Sequence, residues 1–395
     1  MARRTAERPG AAGWSWTNPR MRALVWQAAA LGVVVFGLWF FASTAAANLE
    51  RLRIATGFGF LQHTAGFGII QSPIPYSESS SYGRVFFVGL LNTLIVAAAA
   101  TLIATVLGFL IGIARLSQNW LVAKLAAVYV EVLRNVPLLL QLFFWYFAIL
   151  RPLPVPRESL ALLPGVYLSN RGLVLPQAVP TSATGVFLSA LLLALFIAFG
   201  LRRWARREQL RTGRVFPAGR VALGLIIALP AMVWLAAGPP VHLVFAGMGR
   251  FDFTGGWRLL PEFMALLFGL STYTAAFIAE IVRAGIQSVS HGQTEAARAL
   301  GLPSGLTLRL VVIPQALRVI VPPLTSQLLN LTKNSSLAVA IAYPDLVSVF
   351  AGTVLNQTGQ AIEVIVITMA VYLTLSLATS LAMNIYNARV AIVER

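Results

Sequence analysis

The chain has no cysteine among its 395 residues. Disulfides, thiolate metal sites and cysteine nucleophiles are therefore excluded together. Charge is also scarce: 11% of residues are Asp, Glu, Lys or Arg, against about 25% in soluble domains. Acidic residues are the scarcer sign, 13 against 30 Lys+Arg, which leaves a net charge of +17. The three histidines, His63, His242 and His291, lie too far apart in sequence to form a metal motif. No GxxxxGK phosphate loop exists, and no glycine is followed by lysine, so ATP has no cradle of the usual kind here. HExxH is missing, and no nucleophile–base constellation can be assembled. These absences read as a chain with no catalytic residues, no metal and no cofactor of its own.

What the chain has in excess is apolar surface, at 58% hydrophobic residues. A membrane-spanning helix needs roughly 20 mostly apolar residues. Uncharged runs of that length are Ala23–Leu49, Val85–Ala114, Val221–Gly249 and Val364–Ala388. Gly172–Leu201 is a fifth, with Pro176 and Pro180 delaying its helix to about Thr184. Asn135–Leu150 and Phe263–Ala279 become long enough with one flanking turn. An eighth span, from Gln315 to about Ala342, carries Arg318, Pro322, Pro323 and Lys333. It is required because the loops on either side must lie on opposite faces. The long first run reads as a retained span rather than a cleaved signal peptide, despite Ala45-Ala46-Ala47 at its end.

The cations test this topology. With Met1 inside, the inner segments 1–22, 115–134, 202–220, 282–318 and 387–395 hold 21 of the 30 Lys+Arg. The outer segments 50–84, 151–183, 239–262 and 331–362 hold the other 9. That asymmetry places both termini in the cytoplasm. It also turns the +17 from a nucleic-acid footprint into a record of orientation and lipid contact; no nucleic-acid partner is expected. The firmest anchor is Arg202-Arg203-Trp204-Ala205-Arg206-Arg207, which anionic lipid explains. The expected fold class is all-α, a multi-pass membrane protein of about eight transmembrane helices.

One loop carries chemistry. After Phe263–Ala279 the chain reads Glu295-Ala296-Ala297-Arg298-Ala299-Leu300-Gly301, followed by Val311-Val312-Ile313-Pro314. Glu-Ala-Ala-Arg-Ala-Leu is a strong helix former, and Gly301 with Pro303 stops it. A second short helix then leads into the span at Pro314. The result is a short helix–turn–helix projecting from the cytoplasmic face. The pattern resembles the EAA–x3–G–x9–I–x–LP signature of the permease subunits of ABC importers, with Val311 and Ile313 in the aliphatic slots. Further stretches are similar to the polar amino-acid (histidine/glutamate/glutamine/arginine) permeases: Gly89-Leu90-Leu91-Asn92-Thr93-Leu94, Gly112-Ile113-Ala114-Arg115, Leu133-Arg134-Asn135-Val136-Pro137 through Gln141, Ala279-Glu280-Ile281-Val282-Arg283-Ala284-Gly285, and Lys333-Asn334-Ser335-Ser336-Leu337.

The resemblance spans roughly 85–150 and 263–390, about half of the chain. It implies the type I ABC importer permease fold and coupling to an ATPase through Glu295, Ala296, Ala297 and Gly301. It also implies ABC ATPase subunits that hold ATP and Mg, a periplasmic amino-acid-binding protein, and residence in the bacterial inner membrane. The long form resembles the broad-specificity L-amino-acid permeases, in which two different permease chains pair. The expected organisation is a cytoplasmic tail 1–22, an extra first helix 23–49 and a core part 85–150. There follow an insertion 151–262 with two helices and a second core part 263–390 containing the coupling loop 291–314.

Other residues admit two readings. Glu131 with Arg134, and Glu280 with Arg283, sit three apart and read as interfacial ion pairs or as a cytoplasmic gate. Lys333, Asn334, Ser335 and Ser336 break an apolar span, and read as lining of the substrate path or as a lysine that snorkels to the surface. Gly108 and Gly112 form a GxxxG suited to close helix approach. An ion-coupled secondary transporter and an assembly protein are the competing functions. The first would need carboxylates near mid-membrane, whereas Glu131, Glu280 and Glu363 lie at span ends or in loops. The second would have no need of the Glu295–Gly301 loop.

Overall fold

The computed structural model describes residues 19–51 and 56–390; most of the expected 1–22 tail lies outside the described residues. Helix α1, Pro19–Arg51, is exposed along its apolar length. Helix α2, Tyr82–Ala114, begins at Ser81, whose hydroxyl accepts the Arg84 N–H. It buries a stripe at every fourth residue, Val96, Ala100, Ala104, Gly108 and Gly112. The shrinking side chains let a partner helix approach ever more closely towards Gly112.

Helix α3, Trp120–Asn135, is capped by Asn119, which accepts the Leu121 and Val122 N–H groups. This corrects the reading of 115–134 as a loop: Lys124 and Arg134 interrupt the hydropathy, yet the segment is helical. Pro137 ends it, because proline disfavours helical geometry in the residue before it. Helix α4, Leu138–Phe143, then continues in a widened turn to Leu150. The two pieces meet at 107°. Gln141 fixes the elbow by donating to Leu133 O at 2.8 Å and Val136 O at 2.9 Å. Counting this bent pair as one, eight helical segments among the described residues are long and apolar enough to cross a membrane.

The insertion adds short strands to the otherwise helical fold. Strands β1 (Leu160–Leu163), β2 (Val166–Ser169), β3 (Gly172–Leu175) and β4 (Gln177–Pro180) precede α5, Thr184–Thr212, and α6, Ala218–Ala237. After α6 come β5 (Val241–Val244), β6 (Gly247–Met248), β7 (Phe253–Thr254) and β8 (Trp257–Leu259). The expected span Val221–Gly249 thus ends at Ala237, where Gly238-Pro239-Pro240 turns the chain into β5. One antiparallel sheet has the order β1-β2-β3-β8, while β4 pairs with β5 and β6 with β7. A hydrophobic-run reading misses such strands, since they are two to four residues long. Gly255 and Gly256, both at φ +72°, form the tight turn between β7 and β8. Asp252 bonds Arg171 and Arg258 at 2.8 Å each, clamping the loop after β2 to β8.

Helix α7, Pro261–Gln287, packs along the α2 stripe, with Leu270, Ala275, Ile278, Ala279 and Val282 fully buried. A Cβ on Gly108 would lie 2.5 Å from Ile278, and one on Gly112 would lie 2.7 Å from Ala279 O. The GxxxG is therefore the α2–α7 contact. Helices α8 (His291–Ala299) and α9 (Ser304–Thr307) follow, then α10, Ile313–Asn334, which carries Pro322 and Pro323 internally. A tight turn of helix, Ser335–Ile341, a wide one, Val347–Val354, and α11, Leu355–Thr358, return the chain to α12, Ala361–Val390. One buried cluster joins Val96 and Ala100 to Leu142, Leu270, Ile278, Ile320 and Tyr343. Segments 85–150 and 263–354 thus share a core that the insertion interrupts only in sequence.

Candidate functional site: a coupling loop, an ion clamp and a polar break

The loop after α7 folds as its composition predicts. In α8, Ala297 faces inward and is buried, while Glu295, Ala296 and Leu300 are exposed. Gly301 adopts φ +76°, the left-handed conformation that favours glycine after a helix. The Leu302 N–H closes the turn onto Ala297 O at 3.1 Å, and the Gly301 N–H bonds Arg298 O at 2.9 Å. Leu300, 83% exposed, stands at the tip as an apolar knob. Gln315 Nε2 donates to Gln293 Oε1 at 3.2 Å, tying α8 to the start of α10. A hollow of about 460 Å³ lined by Leu116, Gln287, His291, Thr294 and Val312 lies behind the loop.

Beside it, at the same end of α7, Glu280 is gripped from two sides. Arg283, one turn on, donates to both of its oxygens, and Arg115, which caps the end of α2, donates to Oε2. Both arginines are partly buried. Arg115 was not paired with Glu280 in the sequence reading, because the two lie 165 residues apart. Glu131 and Arg134 are not paired in the structure. Glu131 is exposed, and Arg134 places its guanidinium 5.2 Å from the Phe277 ring centre. With α3 lying against α7, the aromatic face is the nearer partner.

The polar break lies at the far end of α10. Lys333 and Ser336 line a cavity of about 470 Å³ with Val347, Thr368, Tyr372 and Ser376. Ser335 turns away, fully buried, and donates to Thr332 O at 2.7 Å. Asn334 does not line that cavity. Sequence reasoning missed the anchor behind it. Asp345 is fully buried and accepts the Ser348 N–H at 2.8 Å, capping the Val347–Val354 turn. The signal was present as Asp345-Leu346-Val347-Ser348 after Pro344, a helix-start pattern. Asp345 lies in the break between two helical turns, buried within the protein, and Tyr372 Oη also reaches it, at 3.5 Å. Asn92 and Thr93 of α2 hold the same segment. Asn92 Nδ2 donates to Pro344 O at 2.8 Å, and Thr93 Oγ1 accepts the Leu346 N–H at 3.0 Å. Gly89 makes room, since a Cβ there would lie 2.9 Å from Leu346 Cα.

Long apolar helices around a polar break, with a charged clamp and a projecting helix–turn–helix at one end, define the membrane subunit of a transporter. Residues 211–392 match the family model of the binding-protein-dependent transport system inner membrane component. YhdX of Escherichia coli K12, named as an amino-acid ABC transporter permease, is 54% identical over 96% of this chain and 97% of its own. The general L-amino acid transport system permease protein AapQ of Rhizobium johnstonii is 51% identical over 97% of this chain and 96% of its own. The glutamate/glutamine/aspartate/asparagine transport system permease protein BztB of Rhodobacter capsulatus is 41% identical over 96% of both. Among solved structures, a crystal structure of an amino acid ABC transporter with histidines is similar over 78% of this chain and 95% of its own, at 22% identity and TM-score 0.47. The chain belongs to the amino-acid ABC transporter permeases, in their long form.

Proposed function

We propose that this chain imports L-amino acids into the cytoplasm from a periplasmic binding protein, as one of two different permease chains in a bacterial inner-membrane complex. Both termini lie in the cytoplasm. ATP and Mg belong to the ATPase subunits; this chain performs no hydrolysis itself. Broad L-amino-acid specificity is supported by the extent of the match to AapQ, named as part of a general L-amino acid system.

The observation that carries the reading is the exposed helix–turn–helix at Glu295–Gly301, whose only buried side chain in α8 is Ala297. A helix anchored through one small residue, with an acidic side chain and a bare leucine outward, is shaped to be held by another protein. Its root is stiff, because α7 runs into it and Gln315 bonds it to α10. Displacement of the loop by closure of the ATPase pair is carried into both helices, and through the Glu280 clamp into α2. The cavity beside Lys333 would then alternate between the two faces of the membrane. Lys333 is the cation suited to the carboxylate that every amino acid carries, with Ser336 beside it. Asn334 and Ser335 shape the backbone rather than meet the solute. Glu280 and Arg283 act as a gate clamp, while Glu131 and Arg134 keep only a surface role.

The test is co-purification. The ATPase should accompany the wild-type permease and be lost from the Glu295→Lys and Gly301→Asp variants. An intact complex with full transport in those variants would refute the coupling role.

A further inference from the structure

The hairpin of α5 and α6 has no part in the reading above, and its inner end carries an open hollow. Helices α5 and α6 pack chiefly on each other. The β4–β5 pairing holds the start of α5 beside the end of α6. The turn between them, residues 213–217, is thus carried to the opposite side, the side of α8. There a hollow of about 500 Å³ is lined by Arg202, Arg206 and Gln209 of α5, by Val215, Phe216 and Pro217 of the turn, and by Arg220 of α6. Arg202, Arg206 and Arg220 share its lining, and among the described residues no carboxylate lies within ion-pair distance of any of them. All three are exposed, so water screens their mutual repulsion, while an anion seated among them would be attracted by each. Trp204 stacks edge-on against Phe216 at 5.5 Å, an aromatic pair at the depth where apolar span meets basic turn. Above it α5 presents Leu192, Leu195, Phe196 and Phe199 outward, a surface for acyl chains.

We propose that Arg202, Arg206 and Arg220 form a binding site for the phosphate of an anionic phospholipid headgroup, whose acyl chains lie along α5. Guanidinium is the side chain suited to phosphate, through paired N–H donors. A soluble phosphate would satisfy the three cations equally. The apolar wall continuous with the cavity, and the aromatic pair at its rim, assign the ligand to lipid.

The experiment uses the full-length permease in detergent, with phosphatidylglycerol added and bound lipid counted by native mass spectrometry. Wild type should retain phosphatidylglycerol in preference to phosphatidylcholine. The Arg202→Gln/Arg206→Gln/Arg220→Gln variant should bind it roughly tenfold or more weakly. The control variant Arg203→Gln/Arg207→Gln/Arg211→Gln removes equal charge from the same helix outside the cavity, and should retain the lipid. All six arginines are exposed, so matching circular dichroism and melting should show that neither variant is unfolded. Equal loss in the two variants, or none in either, would overturn the proposal. So would displacement of the lipid by inorganic phosphate, which would make the cavity a site for a free anion.

Discussion

Arg115 and Glu280 close the α2–α7 pair at the end nearest the coupling loop, each only partly exposed. The contact joins the last turn of one long helix to the body of the other. It lies about two turns before the end of α7, and α8 begins just beyond residues 288–290. Glu280→Gln would leave Arg115 and Arg283 without their shared anion, in a half-dry setting. The expected cost is about 1–2 kcal/mol, read as a lower thermal midpoint. An unchanged midpoint, with hydrogen exchange at the end of α2 also unchanged, would show that the clamp holds nothing.

Gly112 tests the close approach directly. Its missing Cβ faces the Ala279 carbonyl oxygen, a backbone atom that cannot rotate aside. Gly112→Ala should push α2 from α7 and destabilise by about 1–3 kcal/mol. Gly32→Ala, inside α1 where a Cβ would meet nothing within 4 Å, is the matched control and should not destabilise. A melting comparison of the two checks it.

The small β-module should respond to acid. Burial pushes the Asp252 carboxyl upward, but hydrogen bonds from Arg171, the Phe253 N–H and Arg258, with the charge of Arg258, outweigh it and hold the group below the usual carboxylate range. Since the folded value lies below the unfolded one, its stabilisation is complete above the unfolded value and disappears as pH falls through the folded one. Amide exchange at β3 and β8 should therefore accelerate only in strong acid. In Asp252→Asn it should be fast already at neutral pH and insensitive to that acid step. The opposite direction would refute the clamp.

Much of this was legible in the sequence, for physical reasons that differ by region. The α5 start at Thr184 and the stop at Gly301 follow from proline and glycine, whose backbone effects are local. The Glu295–Gly301 loop was legible because helix propensity, stop signal and charge sidedness agree there. Long-range partners were not. Arg115 finds Glu280, and Arg134 finds Phe277, only once the chain is folded. The capping role of Asp345 is masked in the sequence, because the turn it serves lies inside an apolar stretch that runs on from a span. The strands escaped because a two-residue ladder such as β6–β7 leaves no measurable alternation.

Lys333 separates two readings that both put a cation at a helix end. It lines the same cavity as Ser336 and Tyr372, so Lys333→Met should lower amino-acid uptake by roughly tenfold, the worth of a hydrogen bond to a charged group. ATPase co-purification should be unaffected. Uptake at the wild-type rate would assign the lysine to the surface.

The proposed reception of the ATPase by the loop at Glu295–Gly301 can be tested at the exposed tip of that loop. The most direct measurement is pull-down of the ATPase by permease carrying Leu300→Asp, which alters an exposed tip and leaves the buried Ala297 anchor in place. The variant permease should melt as wild type, no longer retain the ATPase and no longer support ATP-driven uptake. Full retention with full uptake would contradict the coupling role.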